Sequence, residues 1–531
     1  MTDVEISPAR KWAITVTVML VTIMQVLDTS VTNVVLPHMQ GSLSAGVEEI
    51  AWVLTSFLAA NAIVIPATGW LAGLLGRRRF FLICTVFFTV SSFLSGIAPN
   101  LEFLVFARVF QGLGGGPVIP MAHAIMWEIF PLRQRGLAMA VWGIGIMMAP
   151  ILGPTLGGWI ADTWSWRWIF YVNLPIGLIG FFMASAFLFD PPYLRKPSRV
   201  DAPGIALMVV GFGCLQLMLD RGQRDDWFDS PLIVGFAVVA AFGLLGFVIR
   251  EATAREPILD LSVFGDRTFA VGTAFMAVAG IGLTSSMLLL ALYTQNLMGY
   301  DAWTSGLVLA PGGIGNMLSL AVAARAVIHM DQRLLLAVGF ALNGVAFLTM
   351  SNLTLGVDYW ALAWPRFIQG VGQGLIFVPL STLALARIPP VQLGNATAAF
   401  SVVRNLGGSV GVALATTLLV RRSQYHQATL VSHVDVWNPE TAARLKAWTA
   451  QLAQAGVDTF TAERRALAML YRSTVGQAQV LAYADEFWLL GVLFFVMLPL
   501  VLLMRRVRAE PVETRPGETA GRIEGLRVPA D

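Results

Sequence analysis

Arg108-Val109-Phe110-Gln111-Gly112-Leu113-Gly114 and Arg366-Phe367-Ile368-Gln369-Gly370-Val371-Gly372 carry one pattern, R-x-x-Q-G-x-G, at two distant places in the chain. Both lie inside long apolar runs, roughly 101–126 and 359–386. Each run is long enough to cross a bilayer core of ~30 Å as a helix. Each arginine sits about seven residues from one end of its run, or ~10 Å deep at 1.5 Å per residue. A shared motif at matched depth in matched helices predicts a chain built from two duplicated halves. Membrane proteins of that build place a ligand site between the halves, near the midplane.

The rest of the 531-residue sequence supports the same architecture. Hydrophobic residues make up 56% and charged residues only 13%, against about 25% charged in an average soluble domain. Apolar runs recur at 12–36, 50–73, 79–98, 101–126, 136–160, 167–189, 203–220, 231–250, 268–296, 303–325, 334–352, 359–386, 395–420 and 486–506. They predict an all-α integral membrane protein with fourteen transmembrane helices, since helices satisfy their own backbone in hydrocarbon. A β-barrel would show ~10-residue alternating segments instead. The seventh and eighth spans are short and weakly polar and stand between two blocks of six.

Lysine and arginine placement predicts the orientation. With fourteen spans and the N-terminus inside, the inside segments hold clusters such as Arg10 and Lys11, Arg77 to Arg79, and Arg505 and Arg506, while the short outside loops hold only Arg167, Arg221 and Arg224. Topology therefore accounts for the net charge of +3 without nucleic acid as a partner. The first apolar run is too long for a signal peptide and lacks a small-residue cleavage site, so it is expected to remain as the first span. Cys84 and Cys214 both fall in predicted helices, and the five histidines are scattered, so neither a disulfide framework nor a metal site is expected.

Ionisable groups inside a membrane are expensive and mark function by default. Asp28 lies about nine residues before Pro37, hence ~13 Å from the outer end of the first span and near the depth of Arg108. An Asp28–Arg108 pair is therefore geometrically possible. Beside the arginine the carboxylate stays ionised; parted from it in a dry environment, it is neutralised by taking up a proton. The alternative is a static structural ion pair. Arg404 in the thirteenth span is a further buried cation with no evident acidic partner, facing a cavity or backbone carbonyls. The fifth span carries Gly145, Pro150, Gly153, Pro154, Gly157 and Gly158, a density of glycine and proline that suits close helix approach and kinking in a bundle. The thirteenth, fifth of the second half, clusters Gly407, Gly408 and Gly411.

Taken together these residues resemble the major facilitator superfamily, in particular its fourteen-helix drug:proton antiporter branch and the EmrB-type multidrug exporters within it. The first span's Leu27-Asp28-Thr29-Ser30-Val31-Thr32-Asn33-Val34-Val35-Leu36-Pro37 is similar to that branch's aspartate motif. Arg108 to Gly116 and Gly145 to Gly158 resemble its fourth-helix and antiporter motifs. The likeness covers residues 12–506. One departure stands out: the family's loop after the second span usually reads G-x-L-A-D-R-x-G-R-R/K, and here Gly73 and Leu74 replace the aspartate and the arginine after it. A latch of another kind is therefore expected at the cytoplasmic gate.

The resemblance implies the major facilitator fold: two pseudo-symmetric six-helix bundles, 12–189 and 268–506, with two inserted helices in 190–267. It implies alternating access, export of small hydrophobic drugs across a bacterial inner membrane, and a proton gradient rather than a cofactor as the energy source. Asp28 and Arg108 would carry proton coupling. Gln25, Asn33, Gln111, Gln295, Asn296 and Arg404 would line a Met-rich substrate cavity, although Met147 and Met148 are equally at home in plain packing. Arg366, Gln369 and Gly370 would be the second-half counterpart. An EmrA-type periplasmic adaptor and an outer-membrane channel are the implied partners, with membrane lipid. Residues 421–485 are expected outside the membrane, either as a solvated loop or as a docking surface, with helical spacing at 440–452 and 461–482. Residues 1–11 and a disordered tail at 507–531 are expected on the cytoplasmic side. Two other readings stay open: a transporter of a physiological solute such as a fatty acid or siderophore, and a receptor or scaffold with a transporter-like body. An enzyme is not expected, because no metal cluster, Ser/His/Asp set or phosphate loop is present in the sequence. Asp220, Asp225 and Asp226 fit a solvated turn better than a metal site.

Overall fold

The structure, a computed structural model, describes residues 7–131, 134–191, 200–435 and 437–504. Among these, thirteen helices are long and apolar enough to cross a membrane, and Arg135–Thr163 adds a fourteenth span. In chain order they are α1 (Pro8–Ser42), α2 (Glu48–Leu75), α3 (Arg77–Gly96), α4 (Leu101–Ile129), α5 (Arg135–Thr163), α6 (Trp168–Phe187), α7 (Ala202–Arg221), α8 (Pro231–Thr253), α9 (Arg267–Leu297), α10 (Trp303–His329), α11 (Gln332–Met350), α12 (Tyr359–Leu385) and α13 (Leu393–Val431). A surface helix, α14 (Pro439–Gln454), precedes α15 (Thr459–Leu500), which holds the last span. Residues 505–531, and with them the expectation for 507–531, lie outside the described residues.

Helix starts follow their capping residues. Ser7 precedes a proline at the first turn of α1, and Asn100, Asp201, Asp266, Asp358 and Asp458 each accept a backbone N–H two or three residues on. These side chains satisfy donors that the first turn leaves orphaned, and the acidic ones complement the helix dipole. Proline bends spans without ending them. Pro66 falls in a 3-10 turn inside α2, and Pro117 marks the break inside α4. The first span does not stop before Pro37: α1 runs through it to Ser42. Hydroxyls within the spans bond back along their own helix, as Thr22 does to the Val18 carbonyl and Thr32 to the Asp28 carbonyl.

The inserted pair packs backbone to backbone. A Cβ on Gly243 would lie 2.9 Å from the Cα of Gly211, so α7 and α8 meet through glycine. Helix α7 leans on α2, where Gly213 faces Ile63 and the Thr55 hydroxyl donates to Asp220, and on α13, where Ser409 bonds Gln216 at 3.0 Å. The outer face of α8 is apolar and exposed, with Phe242, Leu245 and Ile249 turned outward, as a lipid-facing surface requires.

The two halves touch at the end of the bundle where α1 and α5 begin. On α5, Gly136 abuts the Ala324 carbonyl of α10, and Gly143 abuts Leu320. On α2, Gly69 lies so near Gly394 and Asn395 of α13 that a Cβ would fall 2.5 Å from the Asn395 side chain. Deeper in the same seam, His123 stacks on Trp142 at 4.8 Å and Trp142 on Phe377 at 5.1 Å, with Phe400 6.0 Å from the imidazole. Two of these rings come from each half, and they close the bundle on that side. Gly76, at φ +86°, makes the turn between α2 and α3 that a residue with a side chain could adopt only with strain. Asp190 accepts from the Arg78 backbone at 2.8 Å, and Arg77 pairs with Glu128.

At 421–485 the helices expected at 440–452 and 461–482 are present, as α14 and the first part of α15, but α13 and α15 are long continuous rods rather than the borders of a solvated loop. Helix α13 continues without a break to Val431, and α15 begins at Thr459, 27 residues before the predicted span. At 1.5 Å per residue, helices of 39 and 42 residues reach ~60 Å, about twice the hydrocarbon thickness. Asp485 clamps the pair, accepting from His426 at 2.9 Å and lying 3.3 Å from Arg422.

Candidate functional site

Asp28 and Arg108 meet inside the first six-helix set. Asp28 Oδ2 accepts from Arg108 Nη1 at 2.6 Å. Asp28 Oδ1 accepts from Asn173 Nδ2 at 2.8 Å and from Gln111 Nε2 at 3.0 Å. Gln111 Oε1 in turn accepts from Arg108 Nη1 at 2.9 Å, and Arg108 Nε donates to the Val53 carbonyl at 3.2 Å. Asn173 also donates to Ser92, whose hydroxyl bonds the Phe170 carbonyl. The guanidinium lies over the Phe57 ring at 4.2 Å, a favourable cation–π placement in a desolvated site. Arg108 is 0% exposed and Asp28 2%.

Local sequence explains the assembly. A Cβ on Gly112 would lie 2.5 Å from the Phe57 carbonyl, and one on Gly114 2.8 Å from the Phe88 backbone nitrogen. The glycines of R-x-x-Q-G-x-G therefore let α4 sink between α2 and α3, and Arg108, one turn earlier, is carried onto the α1 carboxylate. The second motif repeats this. Gly370 meets the Gly312 carbonyl of α10, and Gly372 packs on Gly339 and Asn343 of α11. Arg366 and Gln369 there gather on Ser286 of α9.

The fifth-span motif divides. Gly145, Gly153 and Gly157 face Met19, Ser30 and Val31, so they seat α5 on α1 within the first half. Nothing lies within 4 Å of a Cβ built on Gly158, which therefore takes no part in that seam. Pro150 and Pro154 fall within the continuous helix α5; their side chains lie outside the described residues.

The residues expected to line a cavity are dispersed. Gln111 belongs to the ion-pair cluster, and Gln25 is buried beside Gly115 with its Oε1 unpartnered. Asn33 is exposed and bonds the Thr29 carbonyl. Gln295 and Asn296 are exposed in a π-helical turn ending α9, where Gln295 donates to Ser305 at 3.3 Å. Arg404 is partly buried on α13, its Nη2 3.5 Å from Asn405 Oδ1. Asn173 and Ser92 were not anticipated, although Asn173 stands five residues into its span, close to the depth of the arginine it serves.

The family model "Major Facilitator Superfamily" matches residues 18–412. The chain belongs to the major facilitator superfamily. Within the superfamily it is 36% identical over 488 residues to the multidrug export protein EmrB of Escherichia coli strain K12, covering 92% of this chain and 94% of that one. It is 38% identical over 429 residues to the probable multidrug resistance protein EmrY of the same strain, covering 81% and 84%. The fold matches the crystal structure of the human organic anion transporter MFSD10 with a TM-score of 0.57 at 15% identity, covering 91% of this chain and 99% of that one. The chain is thus a multi-pass membrane transporter of the EmrB type, with the superfamily's two six-helix sets separated by α7 and α8.

Proposed function

We propose that this chain is a proton-driven exporter of hydrophobic toxic compounds, working by alternating access in a bacterial inner membrane with both termini in the cytoplasm. Export of several unrelated drugs is suggested by relatives named for multidrug export. Proton coupling rests on one observation: the Asp28 carboxylate, sealed from solvent, accepts hydrogen bonds from three donors on two other helices, one of them the Arg108 guanidinium. A shift of α1 against α4 removes the charged donor, and protonation is then the least costly way to keep that carboxyl in hydrocarbon. Restoring the contact expels the proton. In this scheme the closed end of the bundle is the cytoplasmic one, and the interlocked Gly69–Asn395 contact takes the place of the missing aspartate in the gate loop.

The helices that overshoot the membrane would then project into the periplasm and receive an EmrA-type adaptor leading to an outer-membrane channel. Trp437, in the connection between α13 and α14, is 88% exposed, and Phe460, Leu467 and Tyr471 on α15 are also exposed, an apolar set of the kind a partner covers.

The test is flux in proteoliposomes under an imposed pH gradient. Wild type should move a lipophilic drug against its gradient and lose that drive when the gradient is collapsed. Asp28→Asn should bind drug and fail to couple. Undiminished gradient-driven flux from Asp28→Asn would remove the carboxylate from the mechanism.

A further inference from the structure

The two halves are not chemically equal at their matched polar clusters. Asp28 and Arg108 are separated by 80 residues and Asp28 and Gln111 by 83. Ser286 and Arg366 are again separated by 80, and Ser286 and Gln369 by 83. Ser286 therefore stands in the second half where Asp28 stands in the first. A neutral hydroxyl has replaced the counter-ion, while the arginine and glutamine remain.

Arg366 is consequently a buried cation without an anion. It is 4% exposed, and Nη1 donates to Ser286 at 3.1 Å and to Gln369. Its Nε has no partner. Among the described residues no carboxylate pairs with it. A guanidinium keeps its proton and is costly in a dry interior unless an anion or several acceptors meet it. The cavity that Arg366 borders, of about 40 Å³, is completed by Asn316 and Gln373, whose buried amide oxygens are also unpartnered, and by Met147 and Met287. Met147 belongs to α5 of the first half, so the cavity lies on the seam that alternating access would open.

We propose that Arg366, with Gln369 and Asn316, binds the anionic head group of an amphiphilic substrate, a carboxylate above all, and that the substrate's apolar body lies along Met147 and Met287. The substrate supplies the charge that Asp28 supplies in the first half. The planar fork of arginine suits a carboxylate in two-point contact, and the amides can turn their NH2 groups toward it. Methionine gives the apolar side an adaptable wall. The head group could also be an inorganic anion such as chloride, which shares the chemistry but carries no tail. This inference rests on the export reading for its place in a transport cycle, but its test is binding, which is independent of flux.

The experiment measures equilibrium binding of dodecanoate, dodecanol and dodecyltrimethylammonium to the full-length protein in lipid nanodiscs, with and without excess chloride. Dodecanoate is expected to bind at least ~10-fold more tightly than dodecanol, the factor that one charge-assisted contact provides. Arg366→Gln should erase that preference and Arg366→Lys should retain part of it. Should Arg366→Gln fail to fold, Ser286→Asp decides: it places an internal carboxylate against Arg366, so it should melt at a higher temperature than wild type and lose the preference for dodecanoate. Equal binding of dodecanoate and dodecanol by wild type would overturn the proposal, as would a preference that survives in Ser286→Asp. Chloride-dependent stabilisation that Arg366→Gln abolishes, with no preference for dodecanoate, would assign the site to an inorganic anion and overturn the amphiphile reading. Selective binding of dodecanoate without flux would leave the site standing and refute export instead.

Discussion

Asn173 Nδ2 lies 2.8 Å from Asp28 Oδ1, so the sixth span holds the first span's carboxylate by the oxygen that Arg108 does not touch. Asn173→Leu removes this donor while filling the space. The expected loss is ~1.5–3 kcal/mol, the range for a hydrogen bond to a charged group. It is read as a lower melting temperature in nanodiscs. An unchanged melting temperature would show the amide to be idle.

Asp28 and Arg108 should be strongly non-additive. Either Asp28→Asn or Arg108→Gln alone leaves a half-compensated buried cluster, and such single losses typically cost ~3–5 kcal/mol. The double variant leaves neutral amides and should be less destabilised than the sum of the two singles. A double-mutant cycle on thermal unfolding measures the coupling, and additivity within experimental error would contradict a direct pair.

Gly69 should act as a wedge point. In Gly69→Val the new side chain collides with Asn395 and the backbone of Gly394 across the seam. The closed end of the bundle should then stand open in a larger fraction of molecules. Spin labels placed on α2 and α13 near that end should report longer distances by pulsed electron resonance, while far-ultraviolet circular dichroism stays unchanged.

Acid should cost the protein one of its surface contacts. Asp201 caps α7 and lies 3.0 Å from Arg250 Nε on α8. The hydrogen bond from Arg250, despite opposition from burial, holds the Asp201 carboxyl below the usual carboxylate range, with the Gly204 N–H adding to it. A group depressed in the folded state contributes stability above its unfolded value, about 3.9, and loses it as pH falls through the folded one. Asp201→Asn keeps the cap but loses the charge. It should therefore melt below wild type at pH 7, and the gap should narrow as pH falls below about 4. A gap that is undiminished in acid would assign the effect to packing.

Much of this was legible in the residues. The spans could be read because hydrocarbon leaves helices few alternatives, and the Asp28–Arg108 contact could be read from matched depth in two helices. Asn173 carried the same depth signal, but an uncharged amide near a span's end looks like an ordinary boundary residue. The vacancy at Ser286 was also latent in the repeat: the register that maps Arg108 onto Arg366 maps Asp28 onto it. The scattered fates of Gln25, Asn33, Gln295 and Asn296 were not legible, since which side of a helix faces a cavity depends on neighbours that polarity alone does not name. At 421–485 the helical spacing of 440–452 and 461–482 was legible, but polar composition suggested that the thirteenth span ended near 420. Yet no glycine or proline interrupts 421–431, and the breaks come only near Pro439 and at Gly456, which adopts φ +88°. Polarity marks where a helix leaves the bilayer, not where it ends.

Because α13 and α15 are each one uninterrupted rod from membrane to tip, they act as levers anchored in the second six-helix set. A small tilt of that set about the bilayer centre becomes a much wider sweep at Trp437. Whatever grips the tip would feel each stroke of the transporter mechanically, and would resist it in return.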